Sequence, residues 1–116
     1  MSQHLTDPTN AAELEAVLAE LRAEYEITLP AKLAELAGAL HAARSAEGDA
    51  RAFAQARLLA HRLGGTAGSY GFFEFGRAAA RIEELFTEAQ PGEALPRGGW
   101  DAVDRAFEDV KRAAQA

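Results

Sequence analysis

The stretch FAQARLLAHRLGGTAGSY, residues 53–70, decides how the chain reads. Its apolar residues Phe53, Ala56, Ala60, Leu63, Ala67 and Tyr70 step alternately by three and four. That recurrence marks one buried stripe on an amphipathic helix. His61 falls one position past Ala60, and a single step turns a side chain about 100° around the axis. The imidazole therefore points away from the stripe. Its neighbours on the helix surface are the residues three and four positions away: Arg57, Leu58, Gly64 and Gly65. Ala54 and Gly68 follow one turn further out. Gly64, Gly65 and Gly68 each cost about 1 kcal/mol relative to alanine in a helix interior. Close core packing accounts for one such glycine, but not for glycines on the outward side. Bare backbone around an imidazole suits the close approach of another macromolecule, and outward-facing Leu58 offers that visitor an apolar dock.

Working outward, Asp49 is placed to cap the start of this helix. Gly71 is placed to stop it in a left-handed conformation that folds Phe72 back toward Ala67. A helix with the same rhythm follows, with Phe72, Phe75, Ala79, Ile82, Phe86 and Ala89 on its stripe. Upstream, Leu18, Leu21, Tyr25, Leu29, Leu33, Leu36, Leu40 and Ala43 form a stripe that keeps its phase across Pro30. It predicts one long helix kinked at Pro30, or two helices meeting there, ending near Arg44 before a turn at residues 45–48. Two starts compete: Asn10 with Glu13 in a capping-box spacing, and Pro8 at the first helical position after Asp7. Residues 1–9 read as a polar lead-in and residues 10–116 as the domain. Residues 90–99 hold two prolines and three glycines and read as a loop. The last helix carries Trp100, Val103, Phe107, Val110 and Ala114. Asp101 and Asp104 stand near its start and Lys111 and Arg112 near its end, matching the helix dipole. The expected fold is all-α, an antiparallel up-down four-helix bundle with an additional or kinked N-terminal helix.

Composition agrees. The 116 residues suit one domain, and they include 28 alanines against three valines and two isoleucines. With no cysteine there is no disulfide framework and no thiolate metal site. His4, His41 and His61 lack metal-ligand spacing, so neither a metal nor a cofactor is expected on this chain. The net charge of −6 argues against nucleic acid as a partner. No apolar run approaches 18 residues, and the first residues do not resemble a leader. A cytoplasmic, free-standing monomer away from any membrane is the expectation. His41, Arg77 and Arg81 read as surface residues and Trp100 as a core anchor.

A lone accessible imidazole is largely unprotonated at neutral pH and can act as a nucleophile. No serine, cysteine or second histidine stands near it in sequence to make a triad. The simplest chemistry left is to accept and return a phosphoryl group. That reaction needs in-line geometry and charge neutralisation more than a built-in acid or base, and a partner can bring the metal.

The segment from Ala60 to Phe72 resembles the histidine phosphotransfer (HPt) domain family. Its motif is His, any residue, Leu, Lys, Gly, Ser or Thr, a small residue, and a Gly further on. His61, Leu63, Gly65, Thr66, Ala67 and Gly71 match it. Gly48-Asp49 and Ile82-Glu83 also look like the family, and the resemblance spans roughly residues 12–110. It implies a phosphocarrier of a two-component phosphorelay, not an autonomous enzyme. His61 would be the phosphoacceptor, through Nε2, exchanging phosphate with the aspartate of a response-regulator receiver domain or with a histidine kinase. Mg2+ is expected on the receiver. Partner docking would use Leu58, Gly64, Gly65 and Gly68, and Gly71 would end the helix. Gly64 stands where the family usually has the lysine that contacts the phosphoryl group. Arg57, at i−4, or Arg62 would then supply the positive charge, with Arg57 the better placed. Two rival readings are a non-phosphorylated adaptor of the same fold and a helical dimerisation or scaffold domain with an incidental histidine.

Overall fold

The computed structural model describes residues 8–89 and 92–115. Among them are four helices and no strand: α1 (Pro8–Ser45), α2 (Ala50–Ser69), α3 (Phe73–Thr87) and α4 (Gly99–Gln115). The connections between α1 and α2 and between α2 and α3 are short, so consecutive helices run antiparallel, as the up-down bundle requires. α2 packs on α3, α3 on α4 and α1 on α2, with a lighter contact closing α1 onto α4.

The caps fall where local chemistry puts them. Asp49 Oδ1 accepts from the Arg51 and Ala52 amides at 2.9 and 3.3 Å and opens α2. At the other end Gly71 adopts φ +87°. Its amide donates to the Gly68 carbonyl at 3.1 Å, and the Phe72 amide donates to the Ala67 carbonyl at 2.9 Å. This pair of bonds is a Schellman motif, which turns the chain sharply into α3. α1 begins at Pro8, so of the two competing starts the proline one is used, and Asn10 lies inside the helix. The remainder of the polar lead-in, residues 1–7 including His4, lies outside the described residues, as do positions 90 and 91 of the last loop and Ala116.

Two of the stripes close as expected. Phe53, Ala56, Ala60, Leu63 and Ala67 of α2 are buried, as are Phe75, Ala79, Ile82 and Phe86 of α3. Val103 and Val110 of α4 complete that core, with Phe107 packed half-buried against it. Phe53, Phe86 and Trp100 meet edge-on, with ring centroids 5.3–6.2 Å apart, so half-buried Trp100 does anchor the core. Trp100 Nε1 donates to Glu47 at 3.0 Å, and Arg44 lies 4.7 Å above the indole while pairing with Asp104 at 2.9 Å. That cluster fastens the end of α1 to the start of α4.

The upstream stripe departs from expectation. Of the two readings at Pro30 the single helix holds: α1 runs through the proline for 38 residues and is not two helices meeting there. At a rise of 1.5 Å per residue it is about 57 Å long, whereas the 20 residues of α2 give roughly 30 Å. Its buried residues begin at Tyr25: Tyr25, Leu29, Leu36, Leu40 and Ala43. Leu18 and Leu21, expected in the core, are 46 % and 40 % exposed, because their half of the helix projects past the end of α2. Tyr25 marks the boundary, stacked on Tyr70 at 4.6 Å. Its hydroxyl is buried with no hydrogen-bond partner.

α2 and α3 cross where neither has a side chain. A Cβ built on Gly76 would lie 2.9 Å from the Gly64 carbonyl oxygen, and one on Gly64 would lie 3.2 Å from the Gly76 carbonyl. Gly64, grouped with the docking glycines on helical spacing alone, therefore faces α3. Gly65 and Gly68 have open space where a side chain would stand.

Gly76→Ala should lower stability by about 1–3 kcal/mol through overpacking, whereas Gly65→Ala should raise it by roughly 0.5–1 kcal/mol through helix propensity. Thermal melts of the two variants check this, and equal effects would refute the close crossing. Burial, then the neighbouring Tyr70, pushes the Tyr25 hydroxyl above the usual tyrosine range. A raised folded-state value stabilises fully below the ordinary tyrosine value of about 10 and is lost as pH rises through the folded value. Tyr25→Phe should leave stability at pH 7 equal or higher, since it removes an unsatisfied buried hydroxyl. It should also flatten the fall in stability above about pH 10, read by chemical denaturation.

Candidate functional site

His61 stands on the outer face of α2 with its side chain 65 % exposed. Its Nδ1 lies 2.9 Å from Oε2 of Glu83, a half-buried residue of α3. A carboxylate has no proton to give, so Nδ1–H donates and the ring is held in that tautomer. In the neutral ring Nε2 then carries the lone pair, on the exposed edge. Gly64 and Gly76 make this bond possible. The crossing lies one turn from His61 on α2 and two turns from Glu83 on α3, and it draws the backbones close enough for a glutamate to span the gap.

His61 lies in an open groove of about 850 Å³. Arg62, Gly65, Gly68 and Ser69 continue the groove along α2. Phe73 of α3, 66 % exposed, and Leu18, Leu21 and Arg22 of α1 line its far part. Two cations, Arg22 and Arg62, thus share the groove with the imidazole. Arg57, preferred on sequence for the same face, lines a separate hollow with Phe53, Ala54 and Phe86. Leu58 is 38 % exposed one turn before His61. The groove brings together His61, Arg62, Gly65 and Gly68; Arg57 and Leu58 lie outside its lining, and Gly64 packs on α3. Gly71 ends α2 and also borders the groove. His41 is exposed, and Arg77 and Arg81 pair with Glu74 and Glu84 at 3.5 and 3.2 Å.

Sequence reasoning missed the contribution of other helices. The sequence marks Glu83 only through the Ile82-Glu83 resemblance, not as a partner of His61. The signal was present: Glu83 sits seven residues after Gly76, two turns along the same face of α3. Arg22 and Phe73 gave no local sign, because only the tertiary arrangement brings them to the groove.

Chemically, the site offers one nucleophilic nitrogen, a carboxylate behind the ring, two guanidinium groups and a floor without side chains. Among the described residues no group of three or more His, Asp or Glu side chains is arranged to hold a metal. None of the described helices is long and apolar enough to cross a membrane. A family model described as Hpt domain matches residues 20–113, most of the chain. No curated protein and no solved structure matches it significantly.

In 15N NMR the His61 ring should show the Nδ1–H tautomer near neutral pH, and Glu83→Ala should shift the population toward Nε2–H. An unchanged tautomer ratio in the variant would refute the positioning role of Glu83.

Proposed function

The chain belongs to the Hpt domain family, the phosphotransfer modules that work with receiver domains and histidine kinases in two-component signalling, and from that membership we propose that His61 is its phosphoacceptor. The observation that carries the reading is the Nδ1–H to Glu83 bond on an otherwise exposed ring. It leaves Nε2 as the available nucleophile.

Nε2 attacks the phosphorus of an aspartyl phosphate brought by a receiver domain. The N–P bond forms as the P–O bond to the aspartate breaks, and the aspartate leaves as a carboxylate. The proton on Nδ1 stays in place. The ring becomes positively charged as its lone pair is committed, and the Glu83 carboxylate lies 2.9 Å away to balance that charge. Transfer back to an aspartate reverses each step. Because the ring returns to its starting tautomer, the same geometry serves both directions. Arg62, next to His61 and in the same groove, takes the place of the lysine that Gly64 displaces and attracts the phosphoryl oxygens. Gly65 and Gly68 leave the clearance a receiver needs to bring its aspartate to the ring.

His61→Gln should keep the helical circular dichroism of the wild type and take up no acid-labile phosphate from a phosphorylated receiver. Uptake surviving at another residue would overturn the assignment. Gly65→Phe should also keep the fold, since nothing occupies that space, yet slow transfer at least about tenfold, or roughly 1.4 kcal/mol in the barrier. An unchanged rate would count against this face as the docking surface.

A further inference from the structure

The protruding half of α1 carries a second feature that the phosphoacceptor does not explain. Leu14, Leu18 and Leu21 step by four and three, continuing the phase of the buried Tyr25 and Leu29. They are 58 %, 46 % and 40 % exposed. An apolar stripe in register with the bundle core, but beyond its end, is a helix face without a partner. Two observations identify what covers it.

The first is continuity. Leu18 and Leu21 line the same groove as His61. Nine residues of α2 separate His61 from Tyr70, and seven of α1 separate Tyr25 from Leu18. With Tyr25 stacked on Tyr70, the distance from the imidazole to the stripe is roughly 24 Å along the groove. One small globular partner spans that length. The second is charge. Glu13, Glu20 and Glu24 run along one flank of the stripe, and Glu15 and Glu26 along the other, against Arg22 alone. A second copy of this chain would set one acidic flank against another, whereas a basic partner would be drawn in.

Resting on the reading of His61 as phosphoacceptor, we infer that the receiver exchanging phosphate with His61 also carries an apolar helix flanked by lysine or arginine. That helix lies along residues 14–21 of α1. The imidazole end of the groove supplies chemistry common to any phosphorylated partner. The protruding end selects which partner stays long enough to react.

The experiment takes a panel of receiver domains charged with acetyl phosphate and follows transfer to the full chain, using the receiver that reacts fastest. Leu14→Glu/Leu18→Glu should raise KM for that receiver about tenfold or more with kcat little changed, the mark of lost uniform binding. Glu13→Lys/Glu20→Lys/Glu24→Lys should raise it too, and should weaken the rise of KM with added salt seen for the wild type. Ile27→Glu, on the 79 % exposed residue off the stripe, should leave KM unchanged. Labelling of His61 by phosphoramidate, which needs only an accessible imidazole, should proceed in all of these variants. An unchanged KM in both multiple variants overturns the inference while leaving the phosphoacceptor intact. So does a wild type that light scattering shows to be a dimer and Leu14→Glu/Leu18→Glu turns into a monomer, since the second copy is then the occupant. No transfer from any receiver, with phosphoramidate labelling absent from His61, sinks the phosphoacceptor itself and this inference with it.

Discussion

Two helix backbones meet without side chains between them at Gly64 and Gly76, and the rest of the site follows from that contact. A Cβ on Gly76, 2.9 Å from the Gly64 carbonyl, would force the two helices to shift, and one on Gly64 would press on the Gly76 carbonyl at 3.2 Å. A glutamate reaches only a few ångströms beyond its own helix. The 2.9 Å bond from His61 to Glu83 is therefore a consequence of the crossing as much as of the two residues that make it. The crossing also accounts for Gly64 where a lysine is usual in this family. A Cβ there would already lie 3.2 Å from the Gly76 carbonyl, and the cation beside the imidazole in the groove is Arg62.

What was legible in the sequence was what neighbours along the chain decide. Asp49 bonds to amides two and three residues away, and Gly71 and Phe72 close a turn over residues 67–72. The stripes of α2 and α3 follow from helical period. The exposure of His61 follows from its being one step off such a stripe. Period gives the direction a residue faces, but not whether anything stands opposite. Leu18 and Leu21 share the phase of Leu29, yet Leu29 meets other helices and they do not, because α2 is shorter than α1. Gly64 and Gly65 are adjacent, and 100° of rotation separates a packing glycine from an open one. The expectation for Arg57 shows the same limit of period. Spacing of i−4 places Arg57 on the face of His61, but the hollow it lines opens toward Phe86 and the end of α3. Pro30 left two readings open, one helix or two, and the sequence alone does not choose between them. A proline removes one hydrogen bond from a helix and crowds the preceding turn, and α1 continues through it with Leu29 and Leu36 buried on either side.

The glycines show how the fold accommodates a site that costs stability. Gly64, Gly65 and Gly68 together forfeit on the order of 3 kcal/mol of helix propensity. The weakened turns lie next to the Schellman motif at Gly71 and between anchors that do not depend on them. On one side stands the aromatic cluster of Phe53, Phe86 and Trp100, and on the other the stack of Tyr25 on Tyr70. The bare surface is thus held by packing at both ends of α2 rather than by the propensity of its own residues. It can remain uncovered without fraying the helix that presents His61.

Charge is divided along the groove in a way that the net value of −6 conceals. A phosphoryl group arriving at His61 carries nearly two negative charges at neutral pH, and a uniformly acidic protein would repel it. At physiological ionic strength exposed charges are screened beyond about 8 Å. The glutamates beside Leu14 and Leu18 stand roughly 24–30 Å from the imidazole along the groove, three screening lengths or more. They have almost no effect on the phosphate. Arg62, next to His61 in sequence and in the same groove, is the cation placed to act on it in the proposed transfer. The acidic flanks act instead on whatever surface lies against the protruding part of α1. One continuous groove can therefore attract an anion at one end and a basic helix at the other, without either field cancelling the other.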